Sequence, residues 1–176
     1  MDVRFLNPFV EAAVEVMKAE VGVEISRGEL NVQKTAMTTD DVTVLIHLVG
    51  QVYGVVMYGM PVETGLNFVS QIMGQKFKEF DSLAQSGVAE LGNVITGRAT
   101  IKFAEAGFKA NISPPTIISG KGIQISTLDF PRIVVPLNSE LGDLTVHLAL
   151  REKQAGLEED PDDFVQLTIA EAAQSG

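Results

Sequence analysis

Near the start of the chain apolar residues recur at three- and four-residue spacing, as Phe9, Ala12, Ala13, Val16, Met17 and Val21. That period places them on one face of a helix. Asn7 and Pro8 predict its opening, a capping side chain followed by proline at the first helical position. Gly22 predicts its end. The period then shortens. Val23 to Gln33 reads as a moderate strand, while DVTVLIHLVG and QVYGVVMYGM are strong β-branched runs that meet at Gly50 and Gln51,. So short a connection predicts an antiparallel hairpin. From Pro61 to Met73 the pattern turns helical again and stops at Gly74. After the polar QKFKEFD, Asp81 or Ser82 caps a long central helix that ends near Gly107. In ANISPPTIISGKG, Pro114 and Pro115 forbid regular structure locally. GIQISTL, RIVVPL and DLTVHLAL follow as strands, with turns at Asp129–Pro131 and Asn138–Gly142.

This order of elements predicts an α+β fold, a mostly antiparallel sheet with long helices packed on one face. Residues 1–151 are expected to form the packed domain. From Glu152 the composition becomes acidic (EKQAGLEEDPDDF), so 152–176 is expected to be a linker and tail, with FVQLTIAEAA a short helix or a frayed end,. A hydrophobic fraction of 45% supports a proper core,. The formal net charge of -10 changes the list of partners. An acidic surface repels phosphate backbones and anionic lipid, which argues against nucleic acid and membranes. The chain has no cysteine, so disulfides, thiolate metal sites and a cysteine nucleophile are excluded,. MDVRFLNPFVEAAVEV has no basic stretch ahead of an apolar run, and no run approaches the roughly 18 residues of a membrane span. A cytoplasmic setting is the expectation.

The central helix carries the candidate chemistry. At about 100° per residue, Ala84, Val88, Leu91, Ile95 and Ala99 share a core face. Ser86, Glu90, Asn93 and Gly97 share the opposite face, at spacings of four, three and four. A carboxylate and a carboxamide therefore lie one turn apart, pointing away from the core. Exposed polar residues on an amphipathic helix need no function, so spacing alone leaves a solvated face open. Three glycines complicate it, since each costs a helix interior roughly 1 kcal/mol against alanine. Gly97 lies on the stripe and keeps it low; Gly87 and Gly92 lie off it and read as packing positions. Elsewhere, His47 and His147 sit inside apolar alternation and read as strand-face or core histidines, and Asp40–Asp41 as turn chemistry. EEDPDD lacks the spacing of a calcium loop, and no nucleotide-binding glycine loop is present.

The run SGVAELGNVITGRA, followed by ISPPTIISG, resembles the CheC/CheX/FliY family of response-regulator phosphatases, nearest its CheX branch. The family pattern is an Asp or Ser, three residues, Glu, two residues, Asn, and a proline some twenty residues on. Here Ser86, Glu90, Asn93 and the Pro114–Pro115 pair occupy those positions. CheC-like members carry the pattern twice; the first helix here has Glu11 and Glu15 followed three residues later by Val14 and Lys18, so one site is expected. The resemblance implies a phosphatase acting on the aspartyl phosphate of a CheY-like receiver domain. It further implies that Asn93 orients the attacking water, that Glu90 pairs with the receiver's lysine, and that Ser86 and Gly97 face the partner. The chain would need no cofactor of its own, since Mg2+ belongs to the receiver, and it would be a homodimer. The competing reading is a non-catalytic receiver-binding adaptor or flagellar-switch-type module.

Overall fold

The first amphipathic run forms α1 (Val3–Val16), which begins a turn before the expected Asn7–Pro8 start. Tertiary packing explains the difference. Phe5 and Leu6 are buried, and the Phe5 ring meets Phe103 and Phe108 edge-on, both at 5.5 Å. Pro8 forfeits only the bond to the Arg4 carbonyl near the helix end. The helix then widens into one π turn, Met17–Val21, closed by Gly22 at φ 78°. That left-handed conformation suits a residue with no Cβ.

In this computed structural model, residues 3–127, 130–154 and the backbone of 166–168 are described. The strands are β1 (Ser26–Arg27), β2 (Asn31–Gln33), β3 (Met37–Thr38), β4 (Val42–Gly50) and β5 (Val52–Met60), then β6 (Ala110–Ile112) and β7 (Thr116–Ser119). They continue with β8 (Gln124–Ser126), β9 (Arg132–Asn138), β10 (Leu144–Glu152) and β11 (Gln166–Thr168). Helices α2 (Val62–Met73) and α3 (Ser82–Glu105) lie between β5 and β6. The large sheet runs β1-β9-β10-β5-β4-β6, with β2 also on β9 and β7 also on β4; a smaller sheet runs β11-β8-β3. Every pairing is antiparallel. The expected hairpin is β4–β5, in register from Val42↔Met60 to Leu48↔Gly54.

Alternation decides the layers. Val42, Val44, Ile46 and Leu48 of β4, with Val56, Tyr58 and Met60 of β5, join the apolar faces of all three helices in one core. On the opposite face Leu45, Val55, Met57 and Ala149 pack with Met37, Ile125 and Phe130 in a second, smaller one. The α+β reading therefore holds, with a second small sheet behind the first.

Several local expectations differ. Val23–Gln33 is two short strands rather than one, interrupted where the Gly28 N–H bonds the Pro136 carbonyl at 2.8 Å. The proline-rich segment is irregular at Ser113–Pro115 and again at Gly120–Gly122, while β6 and β7 on either side of the prolines both add to the β4 edge. The prolines act locally and do not stop their neighbours from pairing. Within the expected tail, Gln166–Thr168 pairs as a strand with β8. The other tail residues from 155 onward, the EEDPDD run among them, lie outside the described residues, as does Asp129 of the expected turn.

Candidate functional site

The site is built on α3. Asp81 caps it, its Oδ1 accepting from the Ala84 N–H at 2.9 Å. Ala84, Val88, Leu91, Ile95 and Ala99 are all at most 4% exposed, which fixes the core face. On the other side Ser86 and Glu90 are exposed, and Asn93 and Gly97 half-buried. The four residues singled out in the sequence are thus together on one outward face. Neighbours at this spacing have Cβ atoms about 5–6 Å apart. Among the described residues neither Glu90 nor Asn93 makes a side-chain hydrogen bond or ion pair. The carboxylates of α1 differ in this respect. Glu15 Oε1 accepts from Lys102 Nζ at 2.8 Å, and its Oε2 lies 3.3 Å from Arg98 Nε. That hydrogen bond holds its carboxyl below the usual range. Glu11 also pairs with Lys102, at 3.4 Å. On α1 the acidic residues tie two helices together.

The three glycines divide as the wheel predicts. A Cβ at Gly87 would stand 2.8 Å from Val69 Cγ1 and 3.0 Å from Met73 Cε; at Gly92 it would meet Val44 Cγ1 at 3.1 Å and Tyr58 Cδ2 at 3.2 Å. These two let α3 settle against α2 and the sheet. At Gly97 nothing among the described residues lies within 4 Å. Beneath Gly92, Thr96 donates its hydroxyl to the Gly92 carbonyl at 2.8 Å. Its only hydroxyl proton is then committed, so the 2.7 Å contact with Tyr58 has the phenol as donor,. Burial holds the Tyr58 phenol well above its ordinary pKa. The neutral network seats α3 on β5 directly behind the stripe.

Sequence reasoning missed what lies beside the stripe. A cleft of about 200 Å3 is lined by Ile72, Met73, Leu91 and Val94, with Ser86, Gly87, Glu90 and Glu20 completing it. Glu20 comes from the π turn. No periodicity signals a widened turn, so its proximity to Glu90 was not legible.

The remaining candidates have structural roles. Asp41 Oδ2 accepts from the Val62 N–H at 3.0 Å and so starts α2; that bond lowers its pKa. His147 is buried, its Nδ1 accepting from Arg132 Nε at 3.2 Å. Burial first, and the neighbouring guanidinium second, hold its pKa down to about 4. Arg132 is fully buried and donates also to the Thr35 carbonyl at 2.9 Å and Gln33 Oε1 at 2.7 Å. Among the described residues no cluster of three or more His, Asp or Glu is gathered to hold a metal, and no helix is long and apolar enough to cross a membrane.

Long helices packed on an antiparallel sheet are also the architecture of solved CheC-like proteins. A CheC-like protein from Shewanella sp. PV-4 superposes with a TM-score of 0.78 at 27% identity, over 86% of this chain and 99% of that one. The family profile described as Chemotaxis phosphatase CheX matches residues 42–138, from β4 through β9 and so across the whole of α3. This chain belongs to the CheX family. The CheY-P phosphatase CheX of Thermotoga maritima is 28% identical over 153 residues, 86% of this chain and 98% of that protein. A CheX from Borrelia burgdorferi, solved in a complex with CheY, BeF3 and Mg2+, shares 26% identity with a TM-score of 0.66, over 86% of this chain and all of that one.

Proposed function

We propose that this protein hydrolyses the aspartyl phosphate of a CheY-like receiver domain, using Asn93 to orient the attacking water and Glu90 to anchor the receiver through its lysine. The observation that carries this reading is the pair itself. Carboxylate and carboxamide are exposed or half-exposed, one turn apart, without partners of their own among the described residues, on a helix seated from behind. The relative solved with CheY, BeF3 and Mg2+ supports a receiver as the partner and Mg2+ as the receiver's own ion.

The chemistry asks little else of the protein. Water attacks phosphorus as the acyl P–O bond breaks, leaving an aspartate carboxylate and inorganic phosphate. The carboxylate is a good leaving group and the transition state is loose, so positioning dominates over general-base help. An amide both donates and accepts, so the Asn93 side chain is suited to hold a water in line. A carboxylate at Glu90 meets an ammonium in a charge-assisted bond and fixes the register of the helix against the receiver. Ser86 and Gly97, short residues on the same face, leave room for the approach.

The proposed setting is cytoplasmic and the proposed assembly a homodimer; Leu30 and Val32, exposed at 40% and 50% beside the outer edge of β9, offer apolar surface for it. Sedimentation of wild type against Val32→Lys tests this, with no change in mass contradicting it. For the activity, a phosphorylated receiver is incubated with substoichiometric protein. Multiple turnovers of phosphate release are expected; stoichiometric binding without release would make the chain an adaptor instead.

A further inference from the structure

We propose that the cleft between the π turn, α2 and α3 takes an apolar side chain of the receiver, flanked by a cationic one, and so sets which receiver is accepted. This inference rests on the phosphatase reading of Glu90 and Asn93 and extends it to partner choice. Three observations converge. The cleft walls are apolar, with Ile72, Met73, Leu91 and Val94, and Met73 is 37% exposed although it is a large hydrophobe. The same cleft carries Glu20 and Glu90, both exposed, and neither forms an ion pair among the described residues. It also includes Ser86 and Glu90, so it is continuous with the face on which Asn93 lies.

Size and charge select the occupant. About 200 Å3 is below the roughly 300–1,000 Å3 of pockets that enclose small-molecule ligands. One large side chain from a docked surface fits that scale. With Glu90 committed to the receiver's lysine, the remaining carboxylate of Glu20 at an apolar cleft would repel an acidic segment and attract a second lysine or arginine,. A second copy of this chain, with its net charge of -10, is a poor match for the same reason. The π turn gives Glu20 its place here; such turns are rare and concentrate at functional sites.

The experiment titrates a CheY-type receiver loaded with beryllofluoride and Mg2+ against wild type, Glu20→Lys, Met73→Ser and, as a control in a separate cleft, Lys109→Gln. Thermal melts establish that each variant is folded. Glu20→Lys and Met73→Ser are each expected to weaken Kd about five- to tenfold. Glu20→Gln should flatten the salt dependence of binding. In turnover assays the loss should fall on KM, with kcat at saturation retained. Lys109→Gln should bind as wild type does. Wild-type Kd in folded Glu20→Lys and Met73→Ser would overturn the cleft while leaving the Glu90–Asn93 reading intact. Failure of the wild-type protein to bind or turn over any receiver would overturn both.

Discussion

Replacing Gly97 by alanine should stabilise the protein and slow it, whereas the same change at Gly87 should destabilise it. Within a helix, alanine is favoured over glycine by about 1 kcal/mol. At Gly97 the new methyl meets nothing within 4 Å among the described residues, so most of that gain should appear, about 0.5–1 kcal/mol. At Gly87 the methyl would lie 2.8 Å from Val69 Cγ1 and 3.0 Å from Met73 Cε. The methionine can swing away, but Val69 is fully buried and β-branched, so it cannot,. Overpacking of this kind costs about 1–3 kcal/mol, which exceeds or cancels the helical gain. The net expectation at Gly87 is therefore a loss of about 1 kcal/mol. For a domain of this size, 1 kcal/mol moves Tm by roughly 2–4 °C. Urea unfolding followed by circular dichroism separates the variants by midpoint at constant slope. The functional arm uses phosphate release from a phosphorylated receiver, where Gly97→Ala should raise KM several-fold because its methyl would stand on the proposed docking face. If Gly87→Ala stabilised as much as Gly97→Ala, the close seating of α3 on α2 would be wrong. If Gly97→Ala kept full activity, the low stripe would have no bearing on approach.

Three further outcomes follow from the same contacts. Asp81→Ala removes the acceptor for the Ala84 N–H and should cost about 1 kcal/mol, read as a lower urea midpoint. His147 has a folded pKa of about 4 against about 6.5 unfolded, so the unfolded chain binds its proton first. Stability from this group is complete above pH 6.5 and lost as pH falls towards 4, by up to about 3 kcal/mol; His147→Gln should flatten unfolding free energy across that window. Glu90→Gln should raise KM for phosphorylated receiver by about tenfold and steepen little with salt, whereas an unchanged KM would remove the proposed ion pair.

Much of the fold was legible because hydrophobic period and hairpin spacing are local signals. The β4–β5 hairpin, α2 and α3, and the β9 and β10 strands all follow from alternation or three-to-four spacing bounded by glycine, proline or a cap. What failed depended on partners distant in sequence. The early start of α1 comes from Phe5 packing on Phe103 and Phe108, which outweighs the Asn7–Pro8 signal. Strands β3, β6 and β7 are two to four residues long and exist because β4 and β8 offer edges. A period cannot be seen in so few residues. At the site, the placing of Ser86, Glu90, Asn93 and Gly97 on one face was readable, since helix geometry alone sets it. The neighbouring cleft was not, because it needs α2, α3 and a π turn together. Arg132 likewise looked like an ordinary strand residue, though it lies fully buried against His147.

The central claim is that the Asn93 amide positions the water while other residues bind the receiver. Single-turnover release of phosphate from a phosphorylated CheY-type receiver, measured with wild type and Asn93→Ala at saturating protein, tests it most directly. The expected result is a loss of about 100-fold in rate, with affinity for the beryllofluoride-loaded receiver unchanged within a factor of about three. An Asn93→Ala variant that releases phosphate at the wild-type rate would contradict the account.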